Sequence, residues 1–120
     1  MINSYRDLDF YTDSYQLALE VHAFSLQFPV FERFEQGSQM RRASKSIAAN
    51  IAEGWGRRAS DAEFKHFLRI SLGSCDEMQV HLDFARDLGY ITAECHIDMV
   101  HRYESVGKRI NAFGRRWVTL

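Results

Sequence analysis

The sequence predicts an all-α fold, an antiparallel up-down-up-down four-helix bundle built by one domain over residues 1–120. Three observations lead there. Two long segments in the second half of the chain repeat apolar residues at alternating steps of four and three, the spacing of helices packed at a shallow angle. Pro29 is the only proline, so little interrupts a long helix. No segment of useful length alternates with the period of two that a half-buried strand requires.

The first helix is expected from about Asp9 to Phe28. Tyr11, Tyr15, Ala18, His22 and Ser25 fall on one stripe, and Leu17, Val21, Phe24 and Phe28 on the adjacent one. Pro29 ends it, because proline lacks the amide that a helix interior needs. An aromatic segment from Val30 to Phe34 then crosses to Gly37 and Ser38. Ser38 reads as the N-cap of a second helix of about 16 residues. Met40, Ala43, Ile47 and Ile51 form its apolar seam.

Gly54 sits where this helix is expected to end in a left-handed residue, and Ser60 with Glu63 has the spacing of a capping box that opens the third helix. That helix runs from Ser60 to about Leu88, with Phe64, Leu68, Ser71, Cys75, Met78, Leu82 and Ala85 as its seam. Gly89 supplies the next stop and Thr92 the next N-cap. The fourth helix repeats the pattern through Val100, Tyr103, Val106, Ile110, Phe113, Trp117 and Leu120.

At 120 residues the chain suits one core, and a domain of that size buries roughly two-thirds of its unfolded surface. With 46% hydrophobic and 26% charged residues it is neither disordered nor fibrous. Its apolar runs are too short to span a bilayer, and residues 1–7 lack the apolar core of a signal peptide. The expected location is the cytoplasm. Cys75 and Cys95 are therefore read as reduced packing residues, although their positions on successive helices also permit a disulfide.

The formal net charge of -1 conceals segregated blocks. Residues 1–36 carry -4, residues 37–60 carry +4, residues 61–100 carry -5, and residues 101–120 carry +4. Such alternation suits neighbouring helices that attract one another, within a subunit or between subunits.

The basic residues nominate binding sites. Arg41, Arg42, Lys45, Arg57 and Arg58 gather around the 54–60 corner with Trp55 among them. An aromatic face beside guanidinium groups can hold single-stranded nucleic acid, whereas a tryptophan in this place also serves to cover a bundle end. In the last helix Arg102, Arg109 and Arg116 recur at seven-residue intervals beside Lys108 and Arg115. They read first as a flank matched to the acidic blocks and second as a nucleic-acid contact. Asn50 and Glu53 are expected to lace the corner together. A carboxylate in a last helical turn faces the negative end of the macrodipole, so Glu53 calls for a partner such as Arg57, Arg58 or Arg42.

Gly73, Gly107 and Gly114 lie inside helices, where each costs about 1 kcal/mol relative to alanine. Either another helix approaches closely, which for Gly107 and Gly114 could belong to a second subunit, or these are tolerated surface positions. Enzymatic readings find little support. A di-iron bundle needs two Glu-x-x-His pairs and two further carboxylates, and the chain offers a single partial match at Asp98 and His101. Glu77 and His81 read as an intrahelical pair. Ser74 and Cys75 lack the setting of an activated nucleophile, and the Gly54-Trp55-Gly56 stretch lacks the lysine and preceding strand of a phosphate loop. No metal, cofactor or small-molecule substrate is expected.

A family resemblance rests on Arg41-Arg42-Ala43, Ser46-Ile47, Asn50-Ile51-Ala52-Glu53-Gly54, Gly56-Arg57, Ser60, Glu63-Phe64, Phe67-Leu68, Gly73-Ser74, Glu77 and Leu88-Gly89-Tyr90-Ile91. Tyr5-Arg6-Asp7-Leu8 and Phe28-Pro29 extend it toward the N-terminus. With these residues the chain resembles the four-helix bundle proteins encoded in intervening sequences of bacterial large-subunit ribosomal RNA genes. It is also similar to the related accessory variability protein of diversity-generating retroelements. The resemblance implies a ring-like homo-oligomer, a pentamer, without a catalytic site. Two departures stand out: Ala48 occupies a place where the family often has proline, and this chain is slightly acidic where the retroelement proteins are basic. The expected function is a non-catalytic scaffold or adaptor that assembles with itself and with a macromolecular partner. RNA or DNA binding through the basic patches is the alternative.

Overall fold

The structure, a computed structural model, describes residues 1–117. After a short 3-10 turn at Tyr5–Asp7 come α1 (Asp9–Ser25), α2 (Val30–Arg33), α3 (Gln36–Gly56), α4 (Asp61–Asp87) and α5 (Ala93–Arg116). Among the described residues there is no strand. The four long helices lie side by side in a rod of 50 × 24 × 21 Å.

Neighbouring helices run antiparallel, as the pairing of residues across each contact shows. Between α3 and α4, Gly54 lies against Phe64 and Phe67, and Ser71 Oγ donates to the Ile47 carbonyl at 3.0 Å. Between α4 and α5, Asp83 meets His96, while Leu68 meets Gly114. Between α1 and α5, Arg102 reaches Glu20 and Arg109 reaches Asp13. The result is a four-helix bundle with α1, α3, α4 and α5 at its corners.

The heptad seam of α4 points inward as expected: Phe64, Leu68, Ser71, Cys75, Met78, Leu82 and Ala85 are all buried. They pack with Met40, Ala43, Ile47 and Ile51 of α3 and with Tyr103, Val106 and Ile110 of α5. Burying a large aliphatic or aromatic side chain of this kind contributes about 1.5–3 kcal/mol. In α1 the second expected stripe supplies core residues Leu17 and Val21, joined by Phe10 and Ser14. The first stripe divides: Ala18 and Ser25 are buried, Tyr11 is partly buried against the core, and Tyr15 is half exposed.

Three boundaries differ from the sequence expectation. Helix α1 ends at Ser25, three residues early, and Phe28 is buried in the following turn. Pro29 opens the one-turn helix α2, its carbonyl accepting from Glu32 and Arg33. Helix α3 starts at Gln36 behind Glu35, so Ser38 lies within it and caps nothing.

Gly54 is the main correction. It is not the left-handed terminator, because α3 continues to Gly56 and Gly89 is the only described residue with positive φ. Glycine is required at 54 for a different reason: a Cβ there would stand 3.0 Å from Phe67 Cβ and 3.2 Å from Phe64 Cδ1. The missing side chain lets α3 and α4 close together. The capping box is also half formed. Ser60 Oγ accepts from the Glu63 amide at 3.2 Å, but the Glu63 carboxylate turns to Arg57.

The second corner forms as expected. Gly89 adopts φ 81°, with Tyr90 N–H donating to Ala85 and Gly89 N–H to Arg86, the paired bonds of a Schellman stop. Thr92 Oγ1 then accepts from the Cys95 amide at 3.1 Å and starts α5. Leu120, expected on the last seam, lies outside the described residues.

These contacts yield a contrast between two glycines. Gly54→Leu is expected to destabilise the fold by roughly 1–3 kcal/mol through overpacking. At Gly107 a Cβ would meet only Leu72 Cδ2 at 3.9 Å, so Gly107→Ala is expected to stabilise by up to about 1 kcal/mol. Urea unfolding of the two variants measures both, and a fully stable Gly54→Leu would remove the close-approach explanation.

Candidate functional site

The basic residues singled out by sequence divide into those engaged within the chain and those left facing outward. Arg41 belongs to the first group. Its Nη1 donates to Ser25 Oγ at 2.9 Å and its Nη2 to the Arg33 carbonyl at 2.6 Å, which fastens the α1–α3 connection.

At the α3–α4 corner Arg57 bridges two carboxylates. It lies 3.2 Å from Glu53 and 3.2 Å from Glu63, so the partner that Glu53 needed is the arginine across the turn. Both carboxylates raise the Arg57 pKa further, Glu53 most. Asn50 acts one turn away from this bridge. Its Nδ2 donates to the Ser46 carbonyl and Oγ, and Ser46 Oγ in turn meets Ser74 Oγ of α4 at 3.2 Å. Asn50 thus laces α3 to α4 through Ser46, while Glu53 anchors the Arg57 that spans the corner to Glu63.

Trp55 is buried, with 7% of its surface exposed. Its ring packs edge-on against Phe64 and Trp117, and Phe113 stacks on Trp117. Arg58 lies over the Trp55 ring at 4.3 Å and donates to its carbonyl. A base cannot stack on a ring whose faces are already covered by protein. The structure therefore assigns Trp55 to the aromatic plug that closes this end of the core.

In α5 two of the seven-spaced arginines are matched to the acidic first helix. Arg102 grips Glu20 with both terminal nitrogens, one at 2.8 Å, and also touches Asp98 at 3.1 Å. Arg109 pairs with Asp13 at 2.6 Å and Asp9 at 3.3 Å. The hydrogen bond from Arg102 holds the Glu20 pKa below its ordinary value. Lys108, Arg115 and Arg116 remain exposed, as do Arg42 and Lys45 on α3.

Juxtaposition of α4 and α5 creates one cationic groove that sequence reasoning missed. Lys65 and Arg69 of α4 and Arg115 of α5 surround a floor of Leu68, Leu72 and Ile110, with Asn111 and Gly114 completing the lining and no carboxylate among them. Lys65 and Arg69 sit in a block of net charge -5, which concealed them. Counting outward from the Gly89 turn in antiparallel register would have placed them opposite Arg115. The lower part of the same interhelical groove holds Lys108 and Gly107 beside Asp76 and Glu104.

A second, apolar groove of about 460 Å³ runs between α1 and α3. Ala48, Ala49 and Ala52 form its floor, Tyr11, Tyr15 and Leu19 its wall, and His22 and Lys45 one end. The proline expected by the resemblance at position 48 would lie in this floor. Gly114, nominated for a subunit contact, packs against Leu68 Cδ1 of its own chain with only 3.2 Å available to a Cβ.

The histidines and cysteines take structural positions. His81 bonds Glu77 at 2.9 Å and Gln36 at 3.0 Å, as the i,i+4 pairing suggested, and His96 bonds Asp83 at 2.7 Å. Both cysteines are free thiols. Burial pushes the Cys75 pKa up to about 12 and raises that of Cys95, so each stays protonated and unreactive near neutral pH. Among the described residues no three His, Cys, Asp or Glu side chains converge as a metal site, and no helix is long and apolar enough to cross a membrane.

Fold and surface together define a small all-helical bundle that carries grooves between its helices. The chain belongs to the 23S rRNA-intervening sequence protein family, whose model matches residues 6–112. Its fold is similar to that of a crystal structure from Bacteroides thetaiotaomicron VPI-5482, a protein with unknown function from the S23 ribosomal protein family. The two share 22% identity and a TM-score of 0.75 over 88% of this chain and 95% of the other. No curated protein matches the chain.

Two measurements test these assignments. Trp55→Ala is expected to lower stability by roughly 3–5 kcal/mol, the range for an aromatic core truncation, as read by chemical unfolding. The lowered Glu20 pKa makes its pair stabilising above the unfolded value and ineffective once pH falls through the folded one. The stability difference between the protein and Glu20→Gln is therefore expected to be constant above about pH 5 and to close in more acidic solution. Its plateau is about 0.5–1 kcal/mol, since the pair is one-third exposed and screened.

Proposed function

We propose that this protein is a non-catalytic, homo-oligomeric scaffold of the cytoplasm, assembled as a closed ring, with the pentamer that the family resemblance implies. The observation that carries this reading is the outward placement of large apolar side chains. Tyr15 and Leu19 on α1 and Val80 and Phe84 on α4 are each more than half exposed, at 52, 51, 53 and 55%. Apolar residues gathered along helix faces, beside a groove, are the surface expected of an associating protein.

A second reading, an RNA- or DNA-binding accessory protein, draws support from the cationic groove. Lys65, Arg69 and Arg115 have no ion-pair partner among the described residues, so they are available to phosphates. This reading no longer draws on Trp55, Arg57, Arg102 or Arg109, which are engaged within the chain.

Light-scattering mass tests the first reading. The expected value is a multiple of the 14.0 kDa chain, and a single-chain mass would overturn it. RNA binding measured from low to high salt tests the second. Lys65→Glu with Arg69→Glu is expected to reduce the salt slope by about 2, near 0.7–0.9 for each lost phosphate contact. No binding at low salt would remove the nucleic-acid reading.

A further inference from the structure

We infer that the α1–α3 groove of one subunit receives the outer ridge of α4 from a second copy, so that the chain associates head to tail. This rests on the homo-oligomer reading above and names the two surfaces that it would join.

The ridge is defined by helical spacing. Ile70, Gly73, Glu77, Val80 and Phe84 lie within one outward stripe of α4, opposite the buried seam of Phe64, Leu68, Cys75 and Leu82. Ile70, Val80 and Phe84 are 38, 53 and 55% exposed. Gly73 sits among them in mid-helix, where it costs about 1 kcal/mol relative to alanine. Nothing in its own chain explains that residue, because a Cβ at 73 would meet no atom within 4 Å. Close approach of a helix from outside does explain it.

The groove is the complementary shape. Its alanine floor at positions 48, 49 and 52 leaves room for large side chains, and Tyr15 and Leu19 rise at its edge as further apolar contacts. From Tyr11 to His22 its wall extends about 16 Å along α1 at 1.5 Å per residue. Val80 and Phe84, one helical turn apart, fit within that length.

Charge selects the second copy as the occupant. Arg42 and Lys45 stand exposed beside one end of the groove without an ion-pair partner among the described residues, while at the other end of the alanine floor Arg57 is neutralised by Glu53 and Glu63. On the ridge, Val80 and Phe84 are flanked on one side by the exposed carboxylates of Asp76 and Glu77, while Asp87 on the other side is paired with Arg86 at 2.8 Å. An apolar groove that is basic at one end and an apolar ridge that is acidic along one side therefore occur on the same chain, on different faces of the bundle. Surfaces so placed cannot satisfy each other within one subunit. They form a heterologous contact, which generates a ring where the rotation closes.

The test uses two variants at exposed positions. Ala49→Arg fills the groove and leaves the ridge, while Phe84→Asp spoils the ridge and leaves the groove. Circular dichroism checks that both remain folded, and light scattering reads their mass. Each variant alone is expected to run as a single chain. An equimolar mixture is expected to contain a two-chain species, because the ridge of one still fits the groove of the other. If the unaltered protein is assembled and either variant keeps its full mass, or the mixture fails to pair, the inference falls and the oligomer reading survives. If the unaltered protein is itself a single chain, both fall.

Discussion

The close antiparallel contact of α3 with α4 is the constraint on which the rest of the structure depends. Gly54 allows Phe64 and Phe67 to lie directly against the α3 backbone, and farther along the pair the buried Ser71 hydroxyl finds its acceptor in the Ile47 carbonyl. A buried hydroxyl without a partner would cost about 1–3 kcal/mol, so this bond, made to a carbonyl that also serves its own helix, lets Ser71 sit at the tight interface. Once the two helices meet there, Trp55 lands against Phe64, and Phe113 and Trp117 of α5 complete the plug. The position of α5 follows from that cluster.

Helix α1 is held differently on its two sides. Toward α3 it contributes core residues such as Leu17 and Val21, and Arg41 secures the connection between them. Toward α5 the ring of Phe10 meets Phe113 and the outer edge is ionic, with Arg102 and Arg109 spaced to meet Glu20 and the Asp9–Asp13 pair. Arginine suits this role because its planar fork can grip a carboxylate at two points. Those pairs remove much of the basic character that the last helix shows in sequence. What remains for a partner is the outer face of α3, the cationic α4–α5 groove, and the two apolar surfaces.

Legibility in the sequence followed the range of the interaction. The α4 seam, the left-handed Gly89 and the Thr92 cap were all readable, because heptad spacing, positive φ and an N-cap hydrogen bond each depend on a few neighbouring residues. Gly54 was readable as a special position but not for its reason. A glycine that ends a helix and one that admits another helix look alike until the facing residues are known. Trp55 was ambiguous for the same cause, since an aromatic ring among arginines is a platform or a plug according to what covers its faces. The start of α3 was misplaced because Ser38 resembles a cap, whereas the turn from α2 lets helical bonding begin at Gln36 with no side-chain cap.

By itself, then, the sequence determined the helices of this protein, their apolar faces, the stop at Gly89 and the family to which it belongs, since all of these are written in periodicity and local backbone chemistry. Only the tertiary structure decided which charges remain available. Arg57, Arg102 and Arg109 are drawn into ion pairs by residues distant in sequence or across a turn, while Lys65, Arg69 and Arg115 are brought together around a groove without a carboxylate. The reason is physical: a side chain's partner is set by the register of adjacent helices, and register emerges only when their surfaces pack.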